Sequence, residues 1–138
     1  MTRFESKIST INANKEKIFD ILSDFNNLEK YKGNIPENDN IKDIVCTADS
    51  CEFTVNPVGK IGLQIVERTP FSEIALKSER SPIKFLMWIH LEQLNENETQ
   101  LKITLDADIN VILKGMITGP IQKFIDILST QLTNLTYN

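Results

Sequence analysis

Histidine is almost missing from this sequence: among 138 residues, His90 is the only one. A nucleophilic catalyst needs a base beside it, and no Ser or Cys context here builds a triad around His90. Cysteine is nearly as scarce. Cys46 and Cys51, with no further thiols and His90 the only histidine, cannot complete a zinc shell, so no metal site is expected. Lys and Arg nowhere cluster, and the formal net charge is −4. Nucleic acid is therefore not an expected partner, because binding phosphates takes a concentrated basic surface. No stretch reaches the roughly 18 apolar residues of a membrane span. The segment Met1–Lys7 lacks the apolar centre of a signal peptide, and a cytoplasmic location is the expectation. Repeats, low-complexity tracts and linkers are lacking too, which makes 1–138 a single domain, long enough to bury a core.

What is present is strand periodicity followed by helix periodicity. Thr2 to Asn12 alternates in part, with Phe4, Ser6 and Ile8 on one side, and predicts a strand. Asn14 is placed to cap a short helix from Lys15 to about Phe25, and a second short helix carries Leu28 and Tyr31 before Gly33. From Ile41 the period changes to two. Cys46 and Cys51 flank a turn at Thr47–Ser50 and lie opposite each other, near enough for a bridge. In a reducing compartment they are expected to be two small buried thiols instead.

Four more strands follow: Lys60 to Thr69, one around Ile74 and Leu76, Lys84 to Leu94, and Leu101 to Ile109. Gly62 suggests a bulge or bend in the first of them. From Val111 to Thr136 the apolar residues Leu113, Ile117, Ile121, Phe124, Leu128, Leu132 and Leu135 recur at helical spacing. Gly119-Pro120 falls inside, where a proline removes a donor and crowds the preceding turn, so a kink or break is expected.

Strands first and a helix last argue for an α+β domain with an antiparallel sheet. The order resembles the helix-grip superfamily of START lipid-transfer domains, the birch-pollen-allergen group and the polyketide cyclase-like (SRPBCC) proteins, especially short single-domain bacterial members. The residues that carry the resemblance are Ile18-Phe19-Asp20-Ile21-Leu22-Ser23-Asp24, Asn27-Leu28-Glu29-Lys30-Tyr31, Val58-Gly59-Lys60-Ile61-Gly62 and Lys114-Gly115-Met116. It implies a strongly curved antiparallel sheet of about seven strands wrapped around the C-terminal helix, with two short helices after the first strand. It also implies a hydrophobic ligand held between sheet and helix. It brings no shared catalytic residues, so no catalytic set and no cofactor are expected.

On this reading the cavity is lined by Phe53, Ile65, Leu76, Met87, Ile89, Ile103, Phe124 and Leu128. Glu67 shares the parity of Ile61, Leu63 and Ile65 and is the best candidate for a carboxylate whose pKa an apolar cavity raises for acid–base chemistry. Its alternative is a solvated strand end paired with Arg80 or Lys84. Ser78, Arg80 and Gln64 are the other polar groups near enough to orient a ligand. Asp106 and Asp108 have the parity of the solvent face, beside Lys102. Gly115 and Gly119 permit close packing of the helix start, or a gate at the cavity entrance. If Phe85 points inward, Leu86 and Trp88 lie outside, and such a pair suits a homodimer unless a neighbouring side chain covers it. Three functions compete: binding of a lipid-like or aromatic small molecule, a cofactor-free cyclase or dehydratase, and a protein-interaction module with a packed interior.

Overall fold

A computed structural model describes residues 1–27, 41–55, 59–135 and 137. The second short helix expected around Leu28 and Tyr31 falls outside the described residues. The chain opens with β1 (Thr2–Glu5) and β2 (Ser9–Ile11), then α1 (Lys15–Leu22). It continues through β3 (Ile41–Cys46), β4 (Ser50–Val55), β5 (Gly59–Thr69), β6 (Glu73–Glu79), β7 (Lys84–Asn95) and β8 (Glu98–Asp108). The last element is α2 (Val111–Thr133). All strand pairings are antiparallel, in the order β1-β8-β7-β6-β5-β4-β3, with β2 also on β8. The sheet therefore has seven strands in line and an eighth that continues the first.

The expected single opening strand is two. β1 pairs Thr2 with Ala107 and Glu5 with Thr104, whereas β2 pairs Ser9 with Leu101, so one extra residue sits between them. Ser6 carries this bulge. Its N–H donates to the Ile103 carbonyl at 2.8 Å, and its Oγ accepts from the Ile103 N–H at 2.9 Å, where a backbone carbonyl would otherwise stand. The neighbouring Glu5 carbonyl accepts from the Gln122 side chain of α2 at 2.8 Å. A bulge bends the strand, and here the bend ties the sheet to the helix.

Beyond the register shift at Leu94 near the end of β7, two bulges lie toward the other edge of the sheet. One lies in β3 between Lys42 and Val45, where Asp43 takes a positive φ of 58°. The other is Val66 in β5, an extra residue between the pairs Ile65–Leu76 and Glu67–Ala75. Gly62, expected at a bulge or bend, does a different job. A Cβ there would lie 2.3 Å from the Glu79 carbonyl oxygen of β6, so only glycine lets these two strands approach.

α1 starts where expected, with the Asn14 side chain accepting from the Lys17 N–H at 3.0 Å, and buries Ile18, Phe19 and Leu22. α2 is capped by Asn110, which accepts from the Leu113 N–H at 2.9 Å. Of the kink or break expected at Gly119-Pro120, the break is not present: α2 runs unbroken to Thr133. Pro120 removes the hydrogen bond to the Met116 carbonyl, but Met116 lies on an exposed stretch where water can take its place.

The apolar stripe of α2 meets the sheet only from its middle onward. Ile121, Phe124, Ile125, Ser129 and Leu132 are buried, while Val111, Ile112, Leu113 and Met116 are exposed. The core comprises the inward residues of alternating strands, among them Leu76, Met87, Leu101, Ile103 and Leu105, closed by this second half of α2.

Candidate functional site

Alternation along the strands sends Ile44 and Cys46 of β3, Cys51 and Phe53 of β4, and Leu63 of β5 to the concave face. Leu76 of β6 and Met87 and Ile89 of β7 join them there. Opposite them α2 presents Phe124, Leu128, Gln131 and Leu132, the i, i+4, i+7 and i+8 positions of one helical face. Leu22 of α1 and Phe25 just beyond it close the end. These residues enclose a cavity with about 80 Å³ of space in which a water-sized sphere can move. Phe124 stands between it and a void of about 10 Å³ bounded by Ile61, Ile83, Phe85, Leu105 and Ile121, room for one water at most. The interior is thus packed on one side of Phe124 and open on the other.

Among the described residues no ionisable side chain lines the cavity. Gln131 is the one hydrogen-bonding side chain on its wall, and it is half-exposed, as are Ile44 and Leu128. The mouth therefore lies between β3, a terminal strand of the sheet, and the second half of α2. Gly115 and Gly119 stand away from it on the exposed stretch, with nothing within 4 Å of a Cβ at either, so neither packs closely nor borders the entrance.

Of the residues expected on the wall, Phe53, Leu76, Met87, Ile89, Phe124 and Leu128 are there, with the rings of Phe53 and Phe124 5.3 Å apart. Ile65 and Ile103 are buried in the core but do not border the cavity. Glu67 is exposed. The extra residue Val66 shifts the alternation by one and turns Glu67 out of the face it would share with Ile65. The same shift brings Arg68 to the end of α1, where it donates to the Ser23 carbonyl at 2.8 Å and pairs with Asp49 at 2.5 Å. A cation there suits the helix C-terminus, which has no basic residue of its own in its last turn. Arg80 pairs with Glu52, and Ser78 Oγ accepts from the Phe85 N–H. Ser78, Arg80 and Gln64 are all outside the cavity wall.

Cys46 and Cys51 form a disulfide, contrary to the expectation of free thiols. They are direct cross-strand partners with Cα atoms 4.1 Å apart, as the turn between them places them. The hairpin they staple is bonded to its surroundings. Ala48 accepts from the Phe25 N–H at 2.9 Å and Asp49 from the Ile65 N–H at 2.8 Å.

Gln131 escaped the sequence reading because it lies one position off the apolar stripe; its signal is the seven-residue step from Phe124. On the convex face, Trp88 is covered by the Arg3 guanidinium, 5.9 Å from the ring centroid, while Leu86 stays exposed. Arg3 is held by both Asp106 oxygens at 2.7 and 2.9 Å, and this keeps the Asp106 carboxyl below the usual carboxylate range. Asp108 is exposed, and Lys102 pairs with Glu5. His90 is half-buried on the same face, with Nε2 2.9 Å from Thr104 Oγ1. Burial lowers its pKa, and the Glu73 carboxylate pulls it partly back.

No family model matches the sequence, and no curated protein matches it. Solved structures do match its fold. A START superfamily protein from Mycobacterium smegmatis superposes with a TM-score of 0.65 at 17% identity, over 97% of this chain and 99% of that one. A conserved protein from Geobacillus kaustophilus gives 0.66 at 17% identity, over 96% and 93%. Norcoclaurine synthase from Thalictrum flavum gives 0.67 at 11% identity, over 97% and 87%. The chain has a START-like helix-grip fold. Among the described residues no helix is long and apolar enough to cross a membrane.

Proposed function

We propose that this START-like chain binds a hydrophobic small molecule between its sheet and α2. The observation that carries the reading is the open, apolar pocket beside Phe124, on whose other side the described residues leave almost no space. A cavity of this character excludes water and accepts apolar guests, because water entering it would forgo its hydrogen bonds. Its size selects among guests. About 80 Å³ is roughly half of the ~150 Å³ apolar cavity that holds benzene, so a small guest is favoured over a lipid-like one.

The competing readings have less support. A packed interaction module would leave no such space. A cyclase or dehydratase needs a titratable group at the reacting atoms, and Glu67, the carboxylate suited to that task, is outside. The solved structure of norcoclaurine synthase with dopamine and hydroxybenzaldehyde illustrates that this fold can enclose single rings.

Native mass spectrometry of protein purified from its own host, together with thermal-shift screening of lipids and single-ring aromatics, tests the reading. A co-purified mass or a stabilising small compound is expected. The bare mass together with no shift across the library would remove the reading.

A further inference from the structure

We infer that the Cys46–Cys51 disulfide is a redox switch of the cavity: oxidised, it keeps the space beside Phe124 open, and reduced, its two thiols fill part of that space and weaken the hold on a guest. The inference rests on the binding role proposed above and adds a means of regulation to it. Both cysteines belong to the cavity wall, and both are buried. Ile44 and Phe53, two residues away on β3 and β4, line the cavity as well, so alternation puts the cysteine side chains on the concave face.

Two thiols in van der Waals contact take up more room than the bonded pair, so cleavage drives the sulfurs apart. The backbone around them is held. At the hairpin tip the Thr47 N–H donates to the Ser50 carbonyl at 2.8 Å, and the Thr47 and Ser50 hydroxyls stand 2.8 Å apart. The Phe25 and Ile65 N–H groups and the Arg68–Asp49 pair fix the tip from outside. Beside Cys51 stands its partner Leu63 of β5, itself buried. The space of about 80 Å³ is where displaced sulfurs meet least resistance. Two thiols encroaching on so small a space remove apolar contacts that amount to about tenfold in affinity for a guest.

The chemistry is exchange with a dithiol reductant. Its thiolate attacks one cysteine sulfur to form a mixed disulfide, and the other sulfur leaves as a thiolate and takes up a proton. The second thiol of the reductant then attacks the mixed disulfide, releasing the remaining protein thiol and a cyclic disulfide. Two electrons and two protons thus pass to the protein. Cys46 lies on the terminal strand that borders the mouth, which gives the reductant its approach. Linkage is reciprocal, so a guest that prefers the oxidised form about tenfold makes the disulfide harder to reduce by about 30 mV.

Xenon, a single apolar atom, is the probe, with its dissociation constant read from the methyl chemical shifts of Leu76, Met87 and Leu128. The oxidised protein is expected to bind it, reduction by dithiothreitol to weaken binding about tenfold, and reoxidation to restore it. Intact mass reports the redox state, and the urea midpoint shows that the reduced protein stays folded. Cys46→Ala combined with Cys51→Ala removes the bond and the sulfurs together. This variant is expected to bind xenon at least as tightly as the oxidised protein and to ignore dithiothreitol. Equal affinity before and after reduction, a disulfide that dithiothreitol cannot open in the folded protein, or a double variant as weak as the reduced protein would each overturn the switch and leave hydrophobic binding intact. Failure of the oxidised protein to bind xenon would overturn both.

Discussion

The two halves of α2 have the same secondary structure and the same apolar character but opposite surroundings. From Val111 to Met116 the helix carries Val, Ile, Leu and Met into solvent, and Ile112 is 86% exposed. From Ile121 onward the same residue types close the core, and Ile125 is 0% exposed. The difference teaches that an apolar helical stripe is necessary for burial but does not ensure it. The sheet decides, because its inward residues pack against the second half. Gln122 marks the boundary, anchoring α2 to the Glu5 carbonyl beside the Ser6 bulge. Everything that makes the cavity, including its mouth, lies on the buried side of that anchor.

Truncating each half gives the strongest way to break this contrast. Ile125→Ala is expected to cost about 2–5 kcal/mol in urea unfolding, because it leaves a hole in a packed interior. Ile112→Ala is expected to change stability by no more than about 0.5 kcal/mol. Equal costs would erase the distinction between the halves.

The next effect concerns the wall that faces the buried half. Replacing both Cys46 and Cys51 by Ser frees a short hairpin and is expected to cost about 2 kcal/mol from loop entropy alone. A smaller loss on reduction of the native protein than in the double variant would assign the excess to buried hydroxyls.

The glycines sharpen the exposed half. Gly115→Ala is expected to stabilise by about 0.8–1 kcal/mol, since a Cβ meets nothing within 4 Å and alanine is the better helix former. Gly119→Ala meets equally open space but precedes Pro120, whose ring crowds a preceding Cβ in the helical conformation. Its gain is expected to be smaller or reversed, and an equal gain at both sites would refute this account of Gly119.

The smallest effect lies on the convex face, away from both halves. Burial lowers the His90 pKa, so the folded state disfavours its charged form relative to the unfolded chain. The stability this contributes is full above the unfolded value of about 6.5 and is lost as pH falls through the depressed folded value. His90→Gln should remove that part of the acid dependence. Parallel stability–pH curves for the two proteins would show that His90 does not contribute.

Much of this molecule was legible from residue order. Alternation in β4, β7 and β8 placed Phe53, Met87 and Ile89 inward, because a buried face tolerates no slip of one residue. Asn14 announced α1 through capping chemistry. The misplacements follow from single inserted residues. Val66 turned Glu67 outward, and Ser6 divided the opening strand, since a bulge reverses parity without any hydrophobic mark in the sequence.

The sequence by itself determined an antiparallel sheet gripping a C-terminal helix, because periods of two and 3.6 residues are properties of local geometry. Only the tertiary structure decided which half of that helix is gripped, which inward residues border open space, and that Gln131 stands at the mouth. Those outcomes depend on where strands bend and on how closely distant side chains fill the volume between layers. No stretch of sequence carries that information alone.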